Sequence, residues 1–271
     1  MRPRRLSSRE LALLAGLTVA SFMGFAGCAT PSSRAISVLD SVLATNQDRL
    51  SAIRQLQASG KQAVLEAKPE LIDLLGSFAP DVQRGAEEAL TLVGPDVASD
   101  LVKRSEGAHK TVGQLASRAG VLRILRQTSV DNAVIEQVVA STKSSDFAER
   151  LNATELLGAL SVRNSLALAH LGQLISDENP LIRIAAINEA TDIGASSGAT
   201  LVPALIGALD DRTIAVREAA CIGLGTIGPS AIQAKSSLQR LTRERDTRMA
   251  KLAQIALANV TQTDSFRPKG P

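Results

Sequence analysis

The strongest constraint on this chain is that it repeats itself. Laid over Leu171–Gly194 at an offset of 34, the stretch Leu201–Pro229 aligns Leu171 with Leu205, Asp177 with Asp211, Ile182-Arg183 with Val216-Arg217, Ala186 with Ala220, and Ile193-Gly194 with Ile227-Gly228. An offset of 134 brings Pro69, Leu75, Ala86, Leu90 and Gly94-Pro95 into the same frame. The frame continues through Ala52, Leu56 and Gly60, and again through Arg150, Ala153, Leu157 and Leu160. One unit is degenerate: it keeps Ala119 but carries Gln127 and Thr128 where the terminal glycine belongs, and the last, Arg248–Val260, matches loosely. A period of this length marks stacked supersecondary units.

Each unit reads as two helices. Leu201, Leu205 and Leu209 form one apolar stripe, the polar Asp210-Asp211-Arg212 makes a turn, and Val216, Ala220, Leu224 and Ile227 form a second stripe. All fall at i+3 or i+4 spacing. Gly60, Gly94, Gly194 and Gly228 stand where a helix needs a left-handed stop, and Pro95 and Pro229 follow two of them. Asn179 before Pro180 has the form of an N-cap ahead of a first-turn proline. Short amphipathic helices cannot bury their faces alone and must stack, with Ala52, Ala86, Ala153, Ala186 and Ala220 where second helices approach most closely.

These residues carry a resemblance to HEAT-type repeats, specifically the short bacterial variety first noted in phycobilisome lyases. The pattern of a turn Asp, a hydrophobic-Arg pair, small and Leu positions and a closing Ile-Gly is present as Asp211, Val216-Arg217, Ala219-Ala220, Leu224 and Ile227-Gly228. A second copy reads Asp177, Ile182-Arg183, Ala185-Ala186 and Ile193-Gly194. The resemblance implies an all-α, right-handed α-solenoid of about seven HEAT-like helical hairpins over residues 35–261. A shared fold does not by itself assign a function.

The N-terminus has a separate logic. Arg2, Arg4, Arg5 and Arg9 precede 17 uncharged residues, Leu11–Gly27, that end at Cys28. A basic start, a short apolar run and small residues before a cut make a secretory signal. Phe25-Ala26-Gly27-Cys28 resembles the lipobox of bacterial lipoproteins, with Phe where Leu is usual. The expectation is therefore a signal peptide over 1–27, lipidation at Cys28, a linker over 28–34 and a disordered tail over 262–271. The alternative is an uncleaved anchor, for which the run is short of the roughly 20 residues a spanning helix uses. Ala29 rather than Asp after the cysteine implies sorting to the outer membrane where a cell has one.

Removal of residues 1–27, which hold four Arg and one Glu, leaves 26 basic and 26 acidic side chains. The basic balance of the whole chain belongs to its leader, so nucleic-acid binding is not indicated. With Cys28 lipidated, Cys221 has no partner for an internal disulfide. Beyond the leader the only aromatics are Phe78, Phe147 and Phe266, too few for base-stacking platforms.

Three candidate chemistries have plainer readings. Gly223-Leu-Gly225-Thr-Ile-Gly228 spells G-x-G-x-x-G, but a dinucleotide site needs a strand before the glycines and a helix after them. Here the preceding residues are helical in pattern and Pro229 follows at once. His109 and His170 are followed by Lys110 and Leu171, so neither forms the His-Glu pair of iron-binding HEAT-repeat hydroxylases. Cys221 lies in an apolar helix with no base nearby in the pattern, and reads as a small hydrophobe. No cofactor or metal is expected.

Arg49, Arg150, Arg183 and Arg217 recur at one repeat position, and with Asp177 and Asp211 they are read as a structural ladder, since pairing satisfies the guanidinium's fixed donors. Residues 69–102 are mostly acidic and 103–126 mostly basic. Arg84, Glu87, Glu88, Lys103, Arg104, Lys110, Arg118 and Arg123 are accordingly the candidate surface for a bipolar protein partner. The leading function is a non-catalytic envelope scaffold, membrane-bound through its lipid, that binds a protein through the groove lined by second helices. The alternative is an enzyme or chromophore-handling chaperone resembling the phycobilin lyases.

Overall fold

The computed structural model describes residues 30–105, 112–194 and 198–262, and every regular element among them is helical. Cys28, His109 and Lys110 lie outside the described residues, as does the tail beyond Gln262.

The described residues form seven hairpins. They are α1 (Pro31–Asp40) with α2 (Asn46–Ser59); α3 (Lys61–Glu66) and α4 (Lys68–Leu74) with α5 (Pro80–Val93); and α6 (Pro95–Ser105) with α7 (Val112–Gln127). Then come α8 (Asn132–Ser141) with α9 (Phe147–Ser161), and α10 (Ser165–Leu174) with α11 (Pro180–Asp192). A 3-10 turn at Ala199–Leu201 and α12 (Val202–Ala208) pair with α13 (Ile214–Ile227). The last hairpin joins a 3-10 stretch, Gly228–Ala234, and α14 (Lys235–Leu241) to α15 (Thr247–Thr261). Successive second helices, α2, α5, α7, α9, α11, α13 and α15, each pack on the next. One apolar core runs the length of this stack, from Ala35 to Val260. The architecture is an α-solenoid.

Local signals place the elements. Thr30 Oγ1 accepts the Ser33 N–H and Pro31 opens α1, so the first helix begins inside the segment 28–34 read as linker. Thr45 and Asp48 form a reciprocal capping box on α2, and these hydrogen bonds hold the Asp48 carboxyl below its ordinary range. Asn179 Oδ1 accepts the Leu181 N–H at 2.9 Å ahead of α11.

Gly60, Gly94, Gly194 and Gly228 are the four glycines with positive φ among the described residues, and no other residue type there adopts one. At Gly60 the pair φ 96, ψ −179 lies outside the left-handed helical region that Asn tolerates, in territory reserved for glycine. The stop is thus more demanding than a left-handed cap. Two units end differently, with Thr128 Oγ1 and Ser161 Oγ donating to the carbonyls of Ile124 and Leu157 four residues back.

Ala52, Ala86, Ala153, Ala186, Ala220 and Ala253 are buried where neighbouring helices meet. In the degenerate unit the expected Ala119 is exposed, and Gly120 occupies the buried position. The register is one residue later, and a Cβ at Gly120 would be tight, meeting Glu87 Oε1 at 3.1 Å and Leu75 Cδ2 at 3.3 Å.

Candidate functional site

Two surfaces collect the polar residues singled out above: the edge formed by the turns inside each hairpin, and the face of the second helices.

The turn edge carries the ladder. Asp177 Oδ1 accepts the Asn179 N–H and Asp211 Oδ1 accepts the Thr213 N–H, both at 2.8 Å, closing the turn two residues on. Each carboxylate also receives the arginine of the preceding hairpin. Arg150 pairs with Asp177 and reaches Glu178 at 3.1 Å. Arg183, buried, places Nη2 2.8 Å from Asp211 Oδ1 and Nε 2.8 Å from Oδ2, while Nη1 donates to its own turn's carbonyls at Asp177 and Glu178. Burial works against the Asp211 carboxylate, but the hydrogen bonds from Arg183 and Thr213 outweigh it and hold its pKa below the ordinary value. Arg217 donates to the Asp211 carbonyl at 3.0 Å, and Arg49 to the Ser41 carbonyl at 3.2 Å. Neither has an ion pair among the described residues. Own-turn bonding thus holds Arg49, Arg183 and Arg217, and pairing across hairpins holds Arg150 and Arg183.

Ser77 and Ser144 occupy the place of these aspartates, six residues before Gln83 and Arg150, and accept the N–H groups of Ala79 and Asp146. They close the turn but bring no charge.

Along both helix layers, the charges read as a bipolar surface join neighbouring hairpins, Arg123 and Arg118 on the second helices and Arg104 on the first. Arg123 Nε donates to Glu87 Oε2 at 2.9 Å, Arg118 pairs with Glu155, and Arg104 lies 3.1 Å from Asp73. Lys68 pairs with Asp100 and Arg248 with Glu218. Two of these pairs, Arg104–Asp73 and Arg123–Glu87, join the basic block to the acidic one, because positions about one period apart face one another. Arg84, Glu88 and Lys103 are exposed with no ion pair among the described residues.

One tie skips a hairpin. Arg126 on α7 reaches Glu189 on α11 at 3.2 Å and Asp192 at 3.7 Å, across α9. Gly158 makes this possible, since a Cβ there would collide with the Glu189 side chain. Burial pushes the Glu189 carboxyl up to about 7; Arg126 opposes the rise, and Glu155 and Asp192 add to it. Arg126, Glu155, Gly158 and Glu189 escaped the sequence reading.

Two depressions open on this face. One of about 440 Å³ lies among Arg84, Glu88, Leu92, Arg123 and Gln127. The other, about 270 Å³, lies between α11 and α13 among Asn188, Asp192, Glu218 and Ile222.

The remaining candidates have structural places. Gly223 and Gly225 lie within α13, where added Cβ atoms would meet Thr191 Oγ1 at 2.7 Å and Ala256 Cα at 3.0 Å. They let α13 approach both neighbours. Burial pushes the Cys221 thiol up to about 12, which keeps it protonated and unreactive. His170 contacts Gln173, and among the described residues no three His, Cys, Asp or Glu side chains converge as a metal site.

Known proteins agree with this architecture. Residues 168–258 match the family model for HEAT repeats. No curated protein matches the sequence. A Kap121p mutant is similar at 10% identity and TM-score 0.50, over 85% of this chain and 29% of that one. A designed armadillo repeat protein shares 17% identity over 84% of this chain and 98% of that chain, at TM-score 0.38. Human deoxyhypusine hydroxylase shares 17% over 92% and 99%, at TM-score 0.39. At these identities the likeness is one of fold alone. The HEAT match covers the turns that carry Asp177 and Asp211, and the turns of Ser77 and Ser144 lie outside it.

Proposed function

We propose that the mature chain is a non-catalytic scaffold of the cell envelope, lipid-anchored through Cys28, that binds a protein partner along its second-helix face. The observation that carries this reading is the exposure of Ile222 and Ile255, 53% and 60%, at successive turns of the repeat on α13 and α15. Apolar side chains aligned on one face beside a polar-rimmed depression have the make-up of a protein-binding surface. Leu92, half exposed, gives the N-terminal depression the same character.

The anchor rests on the leader and on Cys28; among the described residues no helix is long and apolar enough to cross a membrane. Where an outer membrane exists, that is the proposed site, facing the periplasm. Metabolic labelling with palmitate is expected to mark the wild-type chain and leave Cys28→Ala unmarked. Equal labelling of both removes the anchor from the account, and a purified chain holding stoichiometric metal or pigment removes the scaffold.

A further inference from the structure

The ladder's rule is met in full at Arg183 and by half at Arg49. An arginine on one second helix divides its donors between carbonyls of its own turn and the carboxylate of the next turn, as Arg183 does with Asp177, Glu178 and Asp211. Arg49 meets the first half of the rule by donating Nη2 to the Ser41 carbonyl. At the second half the chain supplies Ser77, whose hydroxyl is engaged with the Ala79 N–H, and Arg49, unlike Arg150 and Arg183, has no ion pair among the described residues. Between Arg49 and that turn lies a cleft of about 430 Å³, lined by Asn46, Asp73, Ser77 and Phe78. Asp73 sits on its rim, countered by Arg104 at 3.1 Å.

The surroundings of this cleft are unusual for a soluble surface. Val42, Leu43 and Phe78 are the most exposed large apolar side chains among the described residues, at 94%, 89% and 84%. Val42 and Leu43 follow Ser41 in the turn that Arg49 holds, and Phe78 follows Ser77. A fixed planar guanidinium flanked by bare apolar groups selects a carboxylate attached to something apolar.

We infer that the cleft between the first two hairpins binds an Asp or Glu side chain of a protein partner, with an adjacent apolar residue of that partner resting on Phe78 and the Val42-Leu43 turn. The partner's carboxylate completes on Arg49 the rung that Asp211 completes on Arg183. This site lies on the turn edge, apart from the second-helix face, so the scaffold reading survives its failure.

Ser77→Asp makes a sharp test, because it supplies the rung's carboxylate from within the chain. The probe is a fluorescein-labelled, amidated peptide pool with a fixed Asp-Leu pair in random flanks, titrated against the full-length chain in detergent and read by anisotropy. An Asn-Leu pool is the reference. The Asp pool should bind saturably and at least tenfold more tightly than the Asn pool; Ser77→Asp and Arg49→Gln should each weaken it tenfold or more. Ser77→Asp should also raise the melting temperature, which separates occupied from misfolded. Absence of saturable binding, equal binding of the two pools, or undiminished binding by Ser77→Asp overturns the inference.

Discussion

Arg183 holds Asp211 across the boundary between the fifth and sixth hairpins, with Nη2 2.8 Å from Oδ1 and Nε 2.8 Å from Oδ2. Removing one partner of such a buried pair strands the other charge, so Asp211→Ala should cost about 3 kcal/mol in urea unfolding. Asp210→Ala removes only an exposed pair with Arg240 and should cost less than about 1 kcal/mol. Equal losses for the two would refute the ladder.

Glu189 sets a pH dependence of the opposite sign to Asp211. Its folded pKa of about 7 lies above the ordinary 4.5, so between these values the native state holds more proton than the unfolded chain. Its contribution to stability is present below about pH 4.5 and is lost as the pH rises through about 7. Asp211, with its folded pKa below 3.8, contributes above that value and is lost as the pH falls further. Urea midpoints measured from pH 4 to 8 should decline toward neutrality in the wild type, and Glu189→Gln should flatten the decline.

Gly225 and Gly207 should respond in opposite directions to the same change. An added methyl at Gly225 meets Ala256 Cα at 3.0 Å, so Gly225→Ala should destabilise by about 1–3 kcal/mol by forcing α13 from α15. Gly207, in α12, has nothing within 4 Å of such a methyl, and Gly207→Ala should stabilise by up to about 1 kcal/mol through helix propensity. Thermal melts of the two variants decide it.

Cys221 should be silent in the folded state. It is fully buried, with its thiol pushed up to about 12, so iodoacetamide at pH 8 should label it only after unfolding. Rapid labelling of native protein would show that α13 opens or that the thiol is activated.

Much of this fold was legible because a repeat states its own geometry. Gly60, Gly94, Gly194 and Gly228, chosen from their place in the period, are the positive-φ positions among the described residues. The degenerate unit misled by one residue, since Arg118-Ala119-Gly120 offers two small residues and it is the second that lies tight against Glu87 and Leu75. The charge blocks were visible, but their meaning required applying the period to charges as well as apolar residues: Glu87 and Arg123 stand 36 apart, near one repeat. Arg126 and Glu189 lie 63 apart, and no nearest-neighbour reading finds a tie that depends on what Gly158 lacks. Ser77 and Ser144 were hidden by identity, because a serine and an aspartate close the same turn while only one carries charge.

In the proposed scaffold role, a partner binds along the second-helix face of the solenoid. Site-specific photo-crosslinking in native envelopes tests it most directly, with a photoreactive residue placed at Ile222 or Ile255 and, as reference, at exposed Ala169 on the first-helix side. The account predicts one discrete protein adduct from both isoleucine positions and none from Ala169. The same adduct from Ala169, or none from either isoleucine, would contradict it.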